Sequence, residues 1–238
     1  MAEWAPKRFW TMAATVARDG GFGIVLDGRV VRTPDRRDLV VPTNALAEAI
    51  AAEWNAQGEV LVPTSMPMTR MANTAIDRVA DRHGEVAAYV AGYGATDLLC
   101  YRAEGPGLLA ARQATAWDPL LDWVAKTFGA RLVSTVGVMP VAQPPAALDP
   151  LRRAVEDFDA FGLTGLHDLV TLSGSLVLGL AVARGHLDAE DAWARSRLDE
   201  DWQVEQWGHD DEAEIAAGNR RDAFLSAESF IRSAQNLT

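Results

Sequence analysis

The densest run of chemically capable side chains lies between Asp188 and Glu214, where eleven acidic residues face two basic ones, Arg195 and Arg197. The local net charge is −9 in a chain whose total is −11. Carboxylates at this density can hold a hard cation, work as a general acid–base pair, or steer a charged partner. Trp193, Trp202 and Trp207 are interleaved with them. On a helix, Asp199, Trp202 and Gln203 fall on one side, and Glu200, Val204 and Trp207 fall together on another. Two readings follow: core tryptophans beneath a solvated acidic face, or aromatic anchors of a recognition surface. Gln203 and Val204 occupy the places four residues after Asp199 and Glu200. A local salt bridge therefore does not explain the pair, and Arg102 or Arg153 would be tertiary partners.

Other constellations carry less. His209-Asp210-Asp211-Glu212 could offer oxygens to a cation, which makes a metal-assisted hydrolase or lyase using the acidic helix and His209 the alternative to a binding role. None of His83, His167, His186 and His209 has a second histidine at ligand spacing, so no metal is expected, and a solvated turn is the simpler reading. Cys100 is the only cysteine, which excludes a disulfide framework and Cys-cluster zinc sites. Set between Leu99 and Tyr101, it reads as a small core hydrophobe. Gly92-Tyr93-Gly94 begins like a dinucleotide loop, but Asp97 replaces the third glycine and the run follows a helical stripe. There is no P-loop lysine, and Ser173-Gly174-Ser175 reads as close packing inside a buried helix. A small-ligand-binding module remains a further alternative, but no cofactor and no catalytic residue are expected.

The elements that position these residues follow from periodicity. With 238 residues, 49% of them apolar, the chain can bury a core without staples. Its acidity argues against nucleic acid or an anionic membrane as the main partner. Trp4, Lys7, Arg8, Phe9 and Trp10 stand where a signal peptide would need an apolar region, and Leu176 to Ala183 is too short to span a bilayer. Phe22, Ile24 and Leu26 alternate up to Asp27-Gly28, a strong hairpin signal before Val30 and Val31. Thr43 then caps a helix carrying Leu46, Ile50 and Trp54, with Gly58 as its stop. Helical stripes follow from Met66: Met68, Met71, Ala75 and Val79, then Trp117, Leu120, Val124 and Phe128 up to Gly129. Leu132 to Val138 reads as a stray strand and Pro140 to Pro150 as an extended connection. Helices are expected over about 151–161, over 166–183 with Gly185 as stop, over 189–207 with Asp188 as N-cap and Gly208 as stop, and over 219–234. The class is α+β: a small antiparallel β-rich N-terminal domain with one helix (1–65), then a larger orthogonal helical bundle (66–238).

Leu198-Asp199-Glu200-Asp201-Trp202-Gln203, followed by Trp207-Gly208, resembles the C-terminal signature of the assembly chaperones for the α subunit of the F-type ATP synthase head. Further blocks stand in that family's order. They are Arg8-Phe9-Trp10, Leu26-Asp27-Gly28-Arg29 with Thr33-Pro34, Glu53-Trp54 with Gln57, and Met66-Pro67-Met68-Thr69. Thr96-Asp97-Leu98-Leu99-Cys100-Tyr101-Arg102 and Trp117-Asp118-Pro119-Leu120-Leu121-Asp122-Trp123 complete the set. Trp10 departs from the pattern where tyrosine is common, and His209 where an acid is common. The resemblance implies a non-catalytic chaperone, monomeric when free, that covers the β-contacting surface of the free α subunit. It implies a bacterial cytoplasmic form, since the first block begins almost at once. Its partner-binding residues would be Glu200, Asp199, Asp201, Gln203 and Trp207.

Overall fold

In the computed structural model, residues 7–235 are described; Trp4, part of the N-terminal reading, lies outside them. The protein is α+β. Strands β1 (Ala13–Arg18), β2 (Gly21–Leu26), β3 (Arg29–Val30) and β4 (Val40–Val41) form an antiparallel sheet in which β2 pairs with the other three. The β2–β3 hairpin turns on Asp27 (φ 48°) and Gly28 (φ 83°), the double positive φ of the expected tight turn. The Asp27 carboxylate also accepts the backbone N–H groups of Thr11 and Met12, which hold it below its ordinary pKa.

Helix α1 (Asn44–Asn55) starts where Thr43 accepts the Leu46 N–H at 3.1 Å, and it buries Leu46 and Ile50. It stops at Ala56, so Gly58 is not its terminator: the turn closes with ordinary right-handed geometry and needs no glycine. Helix α2 (Pro67–Thr74) has no side-chain cap of its own. Glu53 takes that place, accepting the N–H groups of Met68 at 2.6 Å and Thr69 at 2.8 Å. Desolvation pushes the Glu53 carboxyl up, against these bonds.

The Met68-to-Val79 stripe is one regular helix only to Thr74; Ala75–Val79 then makes a wider π-type turn. Thr33 and Asp77 meet there in a buried hydrogen bond of 2.6 Å. By contacts, a first compact unit takes the described residues up to His83, those of 160–165 and those from 229 on. Within it Thr43 donates to the carbonyl of Ser233, and Phe161 stacks on Phe230.

The second unit, Gly84–Asp159 and Leu166–Glu228, is helical. Its elements are α3 (His83–Gly92), α4 (Gly107–Phe128), α5 (Pro145–Glu156) and, from Leu166 on, α6 (Ala160–Ser173). They are followed by α7 (Leu176–Ala183), α8 (Ala189–Ser196), α9 (Leu198–Trp207) and, up to Glu228, α10 (Asp211–Gln235). Two-residue strands β5 (Tyr101–Arg102) and β6 (Thr135–Val136) pair in parallel, so the expected stray strand exists but is short.

Three expectations fail here. The Pro140-to-Pro150 stretch is not extended throughout: α5 begins at Pro145, since proline's missing N–H costs nothing in a helix's first turn. The helix expected over 166–183 is two. Gly174 turns left-handed (φ 72°), and Ser175 caps α7 by accepting the Leu178 N–H at 3.0 Å. The small residues there mark a break and not close packing. The long helix over 189–207 likewise breaks at Arg197, which leaves helical geometry (φ −104°, ψ 8°).

Candidate functional site

Four family-like blocks meet in pairs. Asp97 is wholly buried and accepts the Leu99 N–H (3.0 Å), the Ser175 hydroxyl (2.8 Å) and the Val177 N–H (2.9 Å). It thus ties its own block to the N-terminus of α7. Burial pushes its carboxyl up to about 6, with these bonds opposing. Burial also pushes the Cys100 thiol up to about 12, which leaves it an inert core group. Arg102 stacks over the Trp117 ring at 5.2 Å and pairs with Asp118 at 2.7 Å, so these two blocks hold each other. In the first unit, Arg8 donates to the Trp10, Thr11, Asn55 and Gln57 carbonyls, while Gln57 binds the Val62 N–H and the Ser65 hydroxyl.

The acidic helix α9 has two unlike sides. Trp202 is buried, 9% exposed, with the Arg112 guanidinium 4.7 Å above its ring. Arg112 also donates to both oxygens of Glu205 at 2.8 Å. Asp199 accepts the buried Gln113 amide at 2.7 Å, while the Gln113 oxygen accepts the Ala103 N–H. Asp199 is therefore an internal anchor between α9 and α4. On the other side Trp207 is 80% exposed, and Glu200, Asp201 and Gln203 are exposed with it.

Glu200 and Asp201 share one cation, Arg197, at 3.8 and 3.7 Å. For Glu200 this corrects the expectation of Arg102 or Arg153 as tertiary partner, because its counter-charge is local and stands three residues before it; Asp199, the other member of the expected pair, binds Gln113 instead. Partial desolvation raises the Asp201 carboxyl; Arg197 opposes and Glu205 adds to the shift.

A groove of about 660 Å³ runs along this outer side between Arg197 and Arg220, with Glu200, Trp207 and His209 on its lining. Asp210 accepts the Glu212 and Ala213 N–H groups and so caps α10, where cation coordination was the alternative. His209 lies 4.0 Å from Glu214 and, among the described residues, no group of three or more His, Cys, Asp and Glu could hold a metal.

The five expected site residues thus lie on one helix but do not form one surface. Glu200, Asp201, Gln203 and Trp207 face outward, and Asp199 is anchored to Gln113. Sequence reasoning missed Arg197, which helix spacing toward the N-terminus would have found. It also missed Gln113, for which no local signal exists.

By fold this is an α+β protein whose most charged helix keeps one side exposed. The family model described as ATP12 chaperone protein matches residues 7–125, and the chain belongs to that family. Over 97% of its length it is 26% identical to mitochondrial protein atp12 of Schizosaccharomyces pombe, covering 84% of that protein. It superposes on the crystal structure of Atp12 from Paracoccus denitrificans with a TM-score of 0.93 at 51% identity, covering 98% of this chain and all of that one. An aspartate-to-lysine mutant of the same Paracoccus protein gives 0.94 at 50%, with the same coverage of both chains. A candidate chaperone from Agrobacterium tumefaciens gives 0.92 at 41%, covering 96% and 86%. The family match ends before α9, so the acidic helix is reached only by the full-length similarities.

Proposed function

We propose that this protein is a non-enzymatic assembly chaperone of the F-type ATP synthase. It binds the free α subunit and shields the surface later given to a β subunit. An unassembled subunit exposes an apolar interface that aggregates unless covered, and a temporary cover must yield to the true partner. A polar, charge-steered contact with few aromatic anchors suits that exchange.

The observation that carries the reading is the outer side of α9. There Trp207, 80% exposed, stands on the same outer side as Glu200, Asp201 and Gln203 while Trp202 and Asp199 secure the helix from behind. Glu200, Asp201, Gln203 and Trp207 are the contact residues in this reading, and Asp199 positions them. The protein acts as a monomer in the cytoplasm. The acidic total charge supports that solubility, and no helix among the described residues is long and apolar enough to cross a membrane.

The test is Glu200→Lys. Its melting should shift by no more than about 0.5 kcal/mol of stability, because it is a surface change. Its protection of purified α subunit from aggregation should fail, since reversal across a contact costs about 2–5 kcal/mol. Normal protection would remove Glu200 from the contact.

A further inference from the structure

We propose that the β-rich unit carries a second docking site, for an extended client segment in which a large apolar side chain is flanked by carboxylates. The site is a cleft of about 360 Å³, small for a ligand pocket but wide enough for a side chain and its neighbours. Trp10, Leu26 and Val31, all buried, are in its lining with Trp54. Phe9, 70% exposed, and Val30 are exposed members of the same lining. Met12, Val60 and Val62 are exposed nearby in the chain, so the apolar character extends beyond the cleft. Apolar surface of this kind, set around a cavity, marks an interaction site more often than an accident of folding.

Two further observations specify the occupant. The first is electrostatic. The chain has 33 acidic and 22 basic residues, yet the charged residues lining this cleft are Lys7, Arg29 and Arg32, with no acid among them. Arg32 pairs with Asp38 at 3.5 Å, both well exposed. Among the described residues, Lys7 and Arg29 have no carboxylate within ion-pair distance. Arg8, by contrast, is fully used on backbone carbonyls and belongs to the scaffold.

The second is polar. The indole N–H groups of Trp10 and Trp54 are both shut off from solvent and have no hydrogen-bond acceptor. Buried donors are rarely left unpaired, so these two indoles mark the cleft floor as a place where the fold leaves polar groups unmatched. Apolar floor and cationic rim together fit an acidic–apolar peptide. A basic or purely apolar one would leave the cationic rim unmatched.

This site does not rest on the α-subunit reading, and a peptide alone tests it. The probe is a capped hexapeptide with Phe-Leu at its centre and Glu-Asp on each side; the control replaces both Glu-Asp pairs with Lys-Arg. Binding to the full chain is followed through the indole N–H resonances, assigned with Trp10→Phe and Trp54→Phe. The acidic peptide should shift the Trp10 and Trp54 signals saturably and bind about tenfold more tightly than the control. Arg29→Glu, at the exposed first residue of β3, should keep normal melting and reverse that preference; Lys7→Glu serves if it does not fold. Equal affinity for both peptides would overturn the proposal. So would absence of any shift, shifts confined to Trp207, or shifts reproduced by raising protein concentration alone, which would mean a second copy fills the cleft.

Discussion

Asp97 and Glu200 are both carboxylates in family-like blocks of the helical unit, and their surroundings differ in every respect. Asp97 has no solvent contact and three donors aimed at it, from Leu99, Ser175 and Val177. Glu200 stands half in water, with one arginine at 3.8 Å shared with Asp201. A carboxylate fully engaged by hydrogen-bond donors inside the fold has no capacity left for a partner, so its block resembles the family for structural reasons. A carboxylate with one loose, shared counter-ion keeps nearly all of its capacity for an outside cation. The same contrast runs across α9 itself, between Trp202 inside and Trp207 outside.

The comparison can be broken by substitutions on its two sides. The largest effect should come from Trp202→Ala, about 3–5 kcal/mol of stability, because a buried indole is lost from beneath Arg112. Near-normal denaturant unfolding would show that the inner side of α9 does not anchor it.

Asp97→Ala should cost about 2–4 kcal/mol, since it strands the Ser175 hydroxyl and two backbone donors in the core. It should also alter the pH profile. The folded carboxyl titrates at about 6, above its unfolded value, so its stabilising contribution is full below that unfolded value and is lost as pH rises through about 6. Between pH 4 and 6, unfolding free energy should therefore climb with pH more steeply in Asp97→Ala than in the parent protein. The excess should reach up to about 1.4 kcal/mol per pH unit. Parallel profiles would mean that Asp97 titrates as an ordinary surface acid.

Asp199→Ala should lie between the two sides, at about 1–2 kcal/mol, because it leaves the Gln113 amide unpaired. A double-mutant cycle with Gln113→Ala should recover most of that loss as coupling. Additivity would return Asp199 to the outward set. The smallest stability effect belongs to Trp207→Ala, within about 0.5 kcal/mol, while its α-subunit protection should fall. A large drop in melting temperature would place Trp207 among the structural tryptophans.

Local chemistry accounts for what was readable from residues alone. Asp27-Gly28 specified its turn because few residue pairs adopt two consecutive positive φ angles. Thr43 and Asp188 announced helix starts because their oxygens can accept a backbone N–H a few residues on. Gly129, Gly185 and Gly208, each with positive φ, mark the expected ends. Gly58 had the residue type without the geometry, and Gly174 had the geometry where residue type suggested packing. Pro145 was mistaken for a breaker because proline is one everywhere except in a helix's first turn. The charged helix was visible as a candidate, but its two sides were not: helical phase groups Gln203 with Asp199 and Trp202, whereas Gln203 is exposed with Trp207 because phase does not say where the core contact ends.

The sequence by itself determined the α+β class, the family and the identity of the charged helix. These depend on local turn chemistry, periodicity and ordered blocks, all properties of residues near one another in the chain. Tertiary structure alone decided that residues 160–165 and those from 229 on group with the β-rich unit, and that Glu53 caps α2. It also decided that Asp199 turns inward to Gln113, 86 residues away, while Glu200 and Trp207 remain outside. The physical reason is that a carboxylate's role depends on which donors and cations reach it, and for Asp97 and Asp199 the decisive partners come from distant segments.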